Sequence, residues 1–141
     1  MNILVLHGPN LNLLGEREPE VYGRMTLAQL NARLRAHAKK SGAKIKCLQS
    51  NGEGRLIDLI HAHRRWADGL AFNPGAYTHY SYALRDAVAA SRIRTVEVHL
   101  SNIDKREPFR KISVIAPACA ARRYGKGLKS YLEAIDYLVK R

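Results

Sequence analysis

Residues 2–6 read NILVL, and the turn residues Gly8, Pro9 and Asn10 follow closely. An uninterrupted apolar run that ends in turn residues is typical of a strand buried on both faces of a parallel sheet. We therefore predict the first strand here. Because open α/β sheets bind ligands outside the carboxyl ends of their strands, the polar segment that begins at His7 is a candidate binding loop.

The rest of the chain repeats this alternation of a short apolar run and a helical pattern. Further strands are predicted at residues 44–49, 70–72, 95–100 and 111–116. Apolar side chains at helical spacing predict helices at residues 26–40, 54–63, 81–90 and 128–139. Strands that alternate with helices form a parallel sheet covered on both faces. For five strands we expect an α/β, flavodoxin-like, doubly wound sheet of order 2-1-3-4-5.

The length of the chain favours a single domain over residues 1–141. No apolar stretch approaches the roughly 20 residues that span a membrane, and no basic leader precedes the first strand. We therefore expect a soluble, cytoplasmic protein without a membrane partner. Cys47 and Cys119 lie in apolar surroundings without CxxC or Cys/His spacing, which predicts buried free thiols and neither a disulfide nor a metal site.

The formal net charge of the chain is +12, which indicates an anionic partner. Basic residues occur in scattered pairs, such as Lys39-Lys40 and Arg64-Arg65, rather than in one run with interleaved aromatic residues. This pattern favours a small anionic substrate drawn into a crevice over a nucleic acid. A basic α/β domain that binds nucleic acid is the alternative from another functional class.

Three polar clusters follow or end predicted strands: HGPNLN at residues 7–12, NPGAYTH at 73–79 and EVHLSN at 97–102. The carboxyl ends of parallel strands meet at one edge of a sheet, so the clusters predict one active site. The first strand is not followed by GxGxxG, and GxxxxGK followed by Ser or Thr does not occur. The fingerprints of dinucleotide and P-loop binding are therefore missing, which favours an enzyme without a cofactor.

Two pairs of side chains are candidates for acid–base chemistry. His99 ends a strand, and Glu97 projects from the same strand face, where a carboxylate orients an imidazole for proton transfer. A hydrogen-bonded core histidine is the alternative for His99. Tyr22 and Arg17 share residues 11–25, a long segment that we interpret as an active-site lid. A guanidinium stabilises a nearby phenolate and so favours a tyrosine base, whereas packing is the alternative for Tyr22.

Four motifs cover most of the chain in a fixed order. They read HGPNLNLLGEREPEVYG at residues 7–23, QSNGEG at 49–54, NPGAYTHYSYALRDA at 73–87 and EVHLSNIDKREPFR at 97–110. With these motifs the chain resembles the type II 3-dehydroquinate dehydratases, or type II dehydroquinases, of the shikimate pathway. The resemblance implies a flavodoxin-like lyase that converts 3-dehydroquinate to 3-dehydroshikimate by anti elimination through an enolate, without metal, cofactor or Schiff base.

The resemblance also implies catalytic roles for five residues. Tyr22 matches the base that removes a proton from C2, and Arg17 matches the residue that favours the tyrosinate. His99 matches the donor that protonates the departing C1 hydroxyl, and Glu97 the residue that orients it. Asn10 matches the residue that holds the water or oxyanion at the enolate.

The same resemblance implies a substrate site and an assembly. The matched substrate-binding residues are Asn73, His79, Asp86, Leu100, Ser101 and Arg110, with the backbone of Leu100 and Ser101 at the substrate carboxylate. Asp86 matches an acidic residue that reaches a neighbouring subunit's site. The implied assembly is a homododecamer, built as a tetramer of trimers.

Several positions depart from the family pattern. Gly52 stands where histidine is common, and Tyr80 and Tyr82 replace smaller residues. Residues 118–127 read ACAARRYGKG, with Arg122 and other basic residues in place of a glycine-rich apolar pattern. These departures concern assembly more than chemistry, because every residue with an implied catalytic role is present. A family member that has lost catalysis and serves as a scaffold is a further alternative, which the intact catalytic residues disfavour.

Overall fold

Over the residues that it describes, the computed structural model contains a sheet of five parallel strands. These residues are 1–16 and 18–140, without the side chains of Val21, Tyr22 and Asp104. The strands are β1 Asn2–His7, β2 Lys44–Gln49, β3 Gly69–Asn73, β4 Arg94–His99 and β5 Ala121–Tyr124. Their order in the sheet is β2-β1-β3-β4-β5, which confirms the order predicted from the sequence.

The register of the sheet brings the polar ends of β1, β3 and β4 together. His7 of β1 pairs with Asn73 of β3, and Phe72 of β3 pairs with Glu97 of β4. Side chains alternate between the two faces of a strand, so Glu97 and His99 lie on the same face of β4. The three polar clusters therefore meet at the edge where parallel sheets bind ligands.

Helices cover both faces of the sheet, as predicted. They are α1 Pro19–Tyr22, α2 Leu27–Lys40, α3 Glu53–His63, α4 Tyr82–Ser91 and α5 Leu128–Lys140. One apolar core, which includes Val5 and Leu34, lies on the side of α2 and α5, and the other, which includes Leu6 and Phe72, lies on the side of α3 and α4. Each buried side chain of this size contributes about 1.5–3 kcal/mol to holding the layers together. In the described part of the chain, no helix is both long and apolar enough to cross a membrane.

The start of α2 follows the sequence closely. The Thr26 hydroxyl accepts a hydrogen bond from the N–H of Gln29 at 3.2 Å, and the Gln29 side chain accepts one from the N–H of Thr26 at 3.0 Å. This capping box pairs two backbone donors at the helix N-terminus. It fixes the point at which the lid, residues 11–25, ends.

The lid contains more regular structure than its sequence indicates. A 3₁₀ helix covers Leu11–Leu13, and α1 covers Pro19–Tyr22 with a proline at its start, where the missing N–H costs nothing. Arg17 lies outside the described residues, and so does the side chain of Tyr22. The implied contact between these two side chains therefore stays a prediction.

The predicted position of the fifth strand is wrong. The apolar run at residues 111–116 predicts it there, but β5 lies at Ala121–Tyr124. Ser113 gives the reason, because its hydroxyl donates to Glu97 and accepts from the N–H of Ala116, which turns the run toward β4. β5 is a half-buried edge strand with the sequence ARRY, so it lacks the apolar signature of a central strand.

The two cysteines are free, as predicted, but they are half-buried rather than buried. Cys47 lies in β2, whereas Cys119 follows a 3₁₀ helix instead of lying in a strand. Burial raises the pKa of Cys47 to about 11 and that of Cys119 to about 12. Both thiols therefore stay protonated near neutral pH, which makes them poor nucleophiles.

Candidate active site

A cavity of about 200 Å³ opens where β1, β3 and β4 end. It is lined by residues of the three polar clusters and of the segment after β4: Pro9, Asn10, Leu11, Asn73, Gly75, Ala76, His79, His99, Leu100, Ser101, Ile103, Arg106 and Arg110. Most of the site residues selected from the sequence therefore share one cavity. Its mixture of amide, imidazole and guanidinium groups suits a small polar anion.

The loops after β1 and β3 are held together by their backbones. The N–H of Gly8 donates to the carbonyl oxygen of Asn73 at 2.7 Å. A Cβ atom at residue 8 would lie 2.7–2.8 Å from backbone atoms of Asn73 and Pro74, a distance that only glycine avoids. This close approach places Asn10 and Asn73 beside the same cavity.

Asn10 has a left-handed backbone conformation, with φ of 69°. Asparagine adopts this conformation more readily than most residues. The N–H of Asn10 donates to Oδ1 of Asn51 at 3.0 Å, while Gln49 donates to the carbonyl of Gly8 at 3.1 Å. Residues 49–51, the start of the QSNGEG motif, therefore support the turn that carries Asn10.

The central pair of the site joins Glu97 and His99 on one face of β4. Nε2 of His99 lies 2.5 Å from Oε2 of Glu97, and both side chains are buried. Because Nε2 is occupied by the carboxylate, Nδ1 is the imidazole nitrogen left for a ligand in the cavity. This geometry favours the acid–base interpretation of His99 over that of a core histidine.

The Glu97 carboxylate is held ionised by its neighbours. Burial alone would raise the pKa of Glu97, but hydrogen bonds from His99, Thr78 and Ser113 outweigh burial and hold the pKa below its ordinary value. The Thr78 hydroxyl donates to Oε2 at 2.5 Å, and the Ser113 hydroxyl donates to Oε1 at 2.7 Å. An ionised Glu97 fixes the orientation of the His99 ring.

Arg122 of β5 lies against the same carboxylate, with Nε 3.7 Å from Oε1 of Glu97. Its Nε and Nη2 atoms are buried and, among the described residues, have no hydrogen-bond partner. Glu97 is thus the anion that compensates this guanidinium. In the sequence, Arg122 is notable only as a departure from the family pattern. Its contact with Glu97 arises because β5 lies beside β4 in the sheet.

His79 and Arg110 also line the cavity. Nδ1 of His79 lies 2.7 Å from the carbonyl oxygen of Ile112, so it carries the proton of the neutral ring and leaves Nε2 for a ligand. Burial is the main cause that lowers the pKa of His79, and the charges of His99 and Arg110 lower it further. Arg110 is held by Glu107 and lies over the ring of Phe109.

A larger cavity of about 660 Å³ adjoins the first and shares Leu100, Ser101 and Arg106 with it. Its other walls include lid residues such as Leu14 and Met25. The larger cavity is mainly apolar, whereas the smaller one contains the imidazole and amide groups. The polar groups therefore line the smaller cavity, and residues of the segment predicted to be a lid line its neighbour.

The structure does not bring every predicted site residue to the cavity. Asp86 is exposed on α4 and does not line it. Arg17 and the Tyr22 side chain lie outside the described residues. In the described part of the chain, no group of three His, Cys, Asp or Glu side chains is placed to hold a metal ion.

Comparisons with known proteins show the family of the chain. A family model described as dehydroquinase class II matches residues 1–139. The chain belongs to the class II dehydroquinase family. A type II dehydroquinase of Butyrivibrio crossotus has a crystal structure that superposes with a TM-score of 0.95 at 48% identity, over 98% of this chain and 97% of that one.

Curated relatives of this dehydroquinase are similar over almost their whole length. A 3-dehydroquinate dehydratase of Pelotomaculum thermopropionicum is 58% identical over 135 residues, which cover 96% of this chain and 94% of the relative. A 3-dehydroquinate dehydratase of Bacillus pumilus is 53% identical over 138 residues, which cover 98% of this chain and 94% of the relative. The similarity therefore includes all four motifs.

Sequence reasoning missed the polar groups of this dehydroquinase that hydrogen-bond to the site residues. Thr78 lies inside the NPGAYTH motif, but nothing in the motif shows that its hydroxyl meets Glu97. Ser113 lies in a run that was interpreted as a strand. His7 and Tyr131 form a buried hydrogen bond across 124 positions of the chain. Such long-range polar pairs have no local signature.

Replacement of Glu97 by glutamine is expected to lower kcat roughly ten- to a hundredfold. The amide keeps the shape but loses a charge-assisted hydrogen bond to His99, worth about 1.5–3 kcal/mol. It also leaves Arg122 without its anion, so the melting temperature should fall. Steady-state rates and thermal unfolding measure both effects. Glu133→Gln, which removes an exposed ion pair with Lys126, is the matched control, and wild-type kcat in Glu97→Gln would contradict the assigned role.

Proposed function

We propose that this protein is a cofactor-independent hydro-lyase that converts 3-dehydroquinate to 3-dehydroshikimate by anti elimination of water. The observation that carries the proposal is the buried Glu97–His99 pair, whose imidazole lines a small cavity, in a chain of the class II dehydroquinase family. The relatives named as 3-dehydroquinate dehydratases support the same reaction.

The reaction begins with removal of a proton from C2 by the ionised Tyr22. The electron pair of the C–H bond moves toward the ketone, whose oxygen becomes an enolate. The enolate then re-forms the ketone while the C1–O bond breaks, and His99 gives its proton to the departing hydroxyl, which leaves as water. The product is a conjugated enone, and transfer of one proton from Tyr22 to His99 through solvent restores the enzyme.

Electrostatic stabilisation of the enolate lowers the barrier to the first step. Asn10, at the rim of the cavity, holds the oxyanion or the water next to it. Donors placed in advance of the charge contribute about 2.7–4 kcal/mol each in well-studied sites. Arg17 favours the tyrosinate form of Tyr22, because a neighbouring cation stabilises a phenolate.

The substrate is an anion, and the cavity supplies donors on several sides. Asn73, His79 and Arg110 bind its hydroxyl and carboxylate oxygens, and the backbone at Leu100 and Ser101 binds the carboxylate. The net charge of +12 favours the approach of such an anion. This use of the positive charge is preferred to nucleic-acid binding, because the cavity offers donors for one small molecule.

We further propose a cytoplasmic homododecamer, arranged as four trimers. Asp86 is exposed on α4, where its carboxylate is free to reach the site of a neighbouring subunit. Tyr80 and Tyr82 are 60% and 62% exposed, so both rings are accessible on the surface of the single subunit. Their position beside the cavity loop fits a contact between subunits.

Borohydride added with 3-dehydroquinate is expected to leave no substrate-derived mass on the protein. An imine mechanism requires a desolvated lysine at the ketone, and no lysine lines the smaller cavity in the described part of the chain. Intact-mass spectrometry after reduction makes the measurement. Recovery of a modified lysine, with Lys105 of the adjoining cavity as the first candidate, would overturn the enolate mechanism.

A further inference from the structure

A hydrogen-bonded chain of polar groups lies next to Asn73, on the side of the sheet covered by α2 and α5. Nδ2 of Asn73 donates to the Tyr131 hydroxyl oxygen at 3.0 Å, and that hydroxyl lies 2.9 Å from Nδ1 of His7. Nε2 of His7 lies 2.8 Å from Oδ1 of Asn31 in α2. The chain therefore connects both helices to the carboxyl ends of β1 and β3.

Three members of this chain are buried in a region that is otherwise apolar, and Asn31 is half-buried. His7 and Tyr131 are 0% exposed and Asn73 is 3% exposed. A buried polar group without a partner costs about 1–3 kcal/mol. The three buried groups must therefore be paired at once, which restricts how their protons are arranged.

Only one arrangement of protons gives every group of this hydrogen-bonded chain a partner. Burial lowers the pKa of His7 to about 4, although the hydrogen bond with Asn31 opposes it, so the ring is neutral. Oδ1 of Asn31 accepts from Nε2–H of His7, which leaves Nδ1 of His7 as an acceptor. The Tyr131 hydroxyl must then donate to Nδ1, and its oxygen accepts from Asn73.

The same reasoning fixes the amide of Asn73. Its Oδ1 accepts from the N–H of Gly75 at 3.0 Å, so oxygen and nitrogen cannot exchange places. One N–H of Nδ2 is used by Tyr131, and one N–H is left. Because Asn73 and Gly75 both line the smaller cavity, the remaining N–H is the group available to a ligand.

We propose that Tyr131, together with His7, is a positioning residue that makes Asn73 a pure hydrogen-bond donor toward the substrate. The inference rests on the proposed function, because it assigns Asn73 to substrate binding. Its consequence is a specificity for acceptors: the substrate atom that meets Asn73 is a carboxylate or hydroxyl oxygen with a free lone pair. A ligand with only a donor at that point is rejected.

A double-mutant cycle in the full-length enzyme tests this coupling. The variants are Tyr131→Phe, Asn73→Ala and the double variant, each assayed for KM and kcat with 3-dehydroquinate. Tyr131→Phe keeps the ring but removes the acceptor that holds Nδ2 of Asn73, so KM should rise about tenfold while kcat changes less than threefold. In the Asn73→Ala background the same change should alter KM less than twofold, because the group it acts through is gone.

Two further variants distinguish the positioning role of Tyr131 from a purely structural effect. Tyr137→Phe, on the same helix and with an exposed hydroxyl contact to Ala120, should keep the wild-type KM. Asn31→Ala lies outside the cavity and removes the acceptor of His7, so it should raise KM at least twofold. This second variant tests the chain even where Tyr131→Phe fails to fold, as judged by circular dichroism.

The outcomes separate this inference from the proposed function. An active wild type with wild-type KM in Tyr131→Phe, or with effects that multiply in the double variant, would overturn the positioning role alone. An unchanged KM in Asn31→Ala would overturn the part that runs through His7. A folded wild type without dehydratase activity would overturn the proposed function, and the inference with it.

Discussion

Replacement of His99 by alanine is expected to lower kcat by roughly 10²–10⁴-fold, the usual contribution of one positioned proton donor. The C1 hydroxyl is a poor leaving group unless it is protonated as it departs. The buried carboxylate of Glu97 holds His99 for this step, and no other imidazole meets that carboxylate in the described part of the chain. Initial rates of enone formation, followed by ultraviolet absorbance, make the measurement.

The matched control for His99→Ala is His61→Ala. His61 is exposed on α3, away from the cavity, so its loss should leave kcat within twofold of wild type. Circular dichroism of both variants establishes that they are folded. A folded His99→Ala enzyme with more than a tenth of the wild-type kcat would exclude His99 as the principal proton donor.

Replacement of Tyr22 by phenylalanine is expected to lower kcat by a similar factor, but at the other step. Phenylalanine has no atom that accepts a proton, so C2 keeps its hydrogen and the enolate does not form. Steady-state rates again measure the loss. Tyr137→Phe is the control, since it makes the same chemical change at a tyrosine outside the cavity.

Exchange in deuterium oxide separates the two variants. His99→Ala keeps the base, so it should exchange the C2 hydrogen of 3-dehydroquinate for deuterium while it makes little product. Tyr22→Phe should neither exchange nor eliminate. Proton NMR of the recovered substrate measures the exchange. The opposite pattern, with exchange only in Tyr22→Phe, would reverse the roles of the two residues.

The sequence predicts the sheet well because its central strands are buried on both faces. Residues 2–6 and 70–72 have few polar side chains, and the turns after them place the site loops at one edge. Local signals also fix the start of α2, where Thr26 and Gln29 form the expected capping box. These features depend on neighbours in sequence, and local patterns therefore predict them.

Prediction fails where the structure depends on contacts between distant residues. Residues 111–116 are apolar enough for a strand, but the Ser113 hydroxyl donates to Glu97 and the run forms bends between two 3₁₀ helices. β5 is an edge strand whose Arg122 meets the same carboxylate, so its sequence resembles a surface segment. Both errors have one physical cause: the buried charge of Glu97 is paired with polar groups that are distant in the sequence.

The candidate site shows the same difference between features that local sequence predicts and features that depend on distant residues. Motif spacing selects Asn10, Asn73, His79 and His99, since each follows or ends a strand and the sheet brings them together. It does not select Tyr131, which lies in the middle of an apolar helical pattern and differs from a core tyrosine only through its hydrogen bonds. Residues that act on a ligand are thus easier to predict than residues that hold them in place.

The most direct test is the absorbance of a conjugated enone when the wild-type protein is mixed with 3-dehydroquinate. The product should appear at a rate proportional to protein concentration, and the folded double variant Tyr22→Phe/His99→Ala should form none. This result would establish the reaction and the two groups that transfer its protons. A folded wild-type protein that forms no enone, or a double variant that forms it at the wild-type rate, would contradict the account.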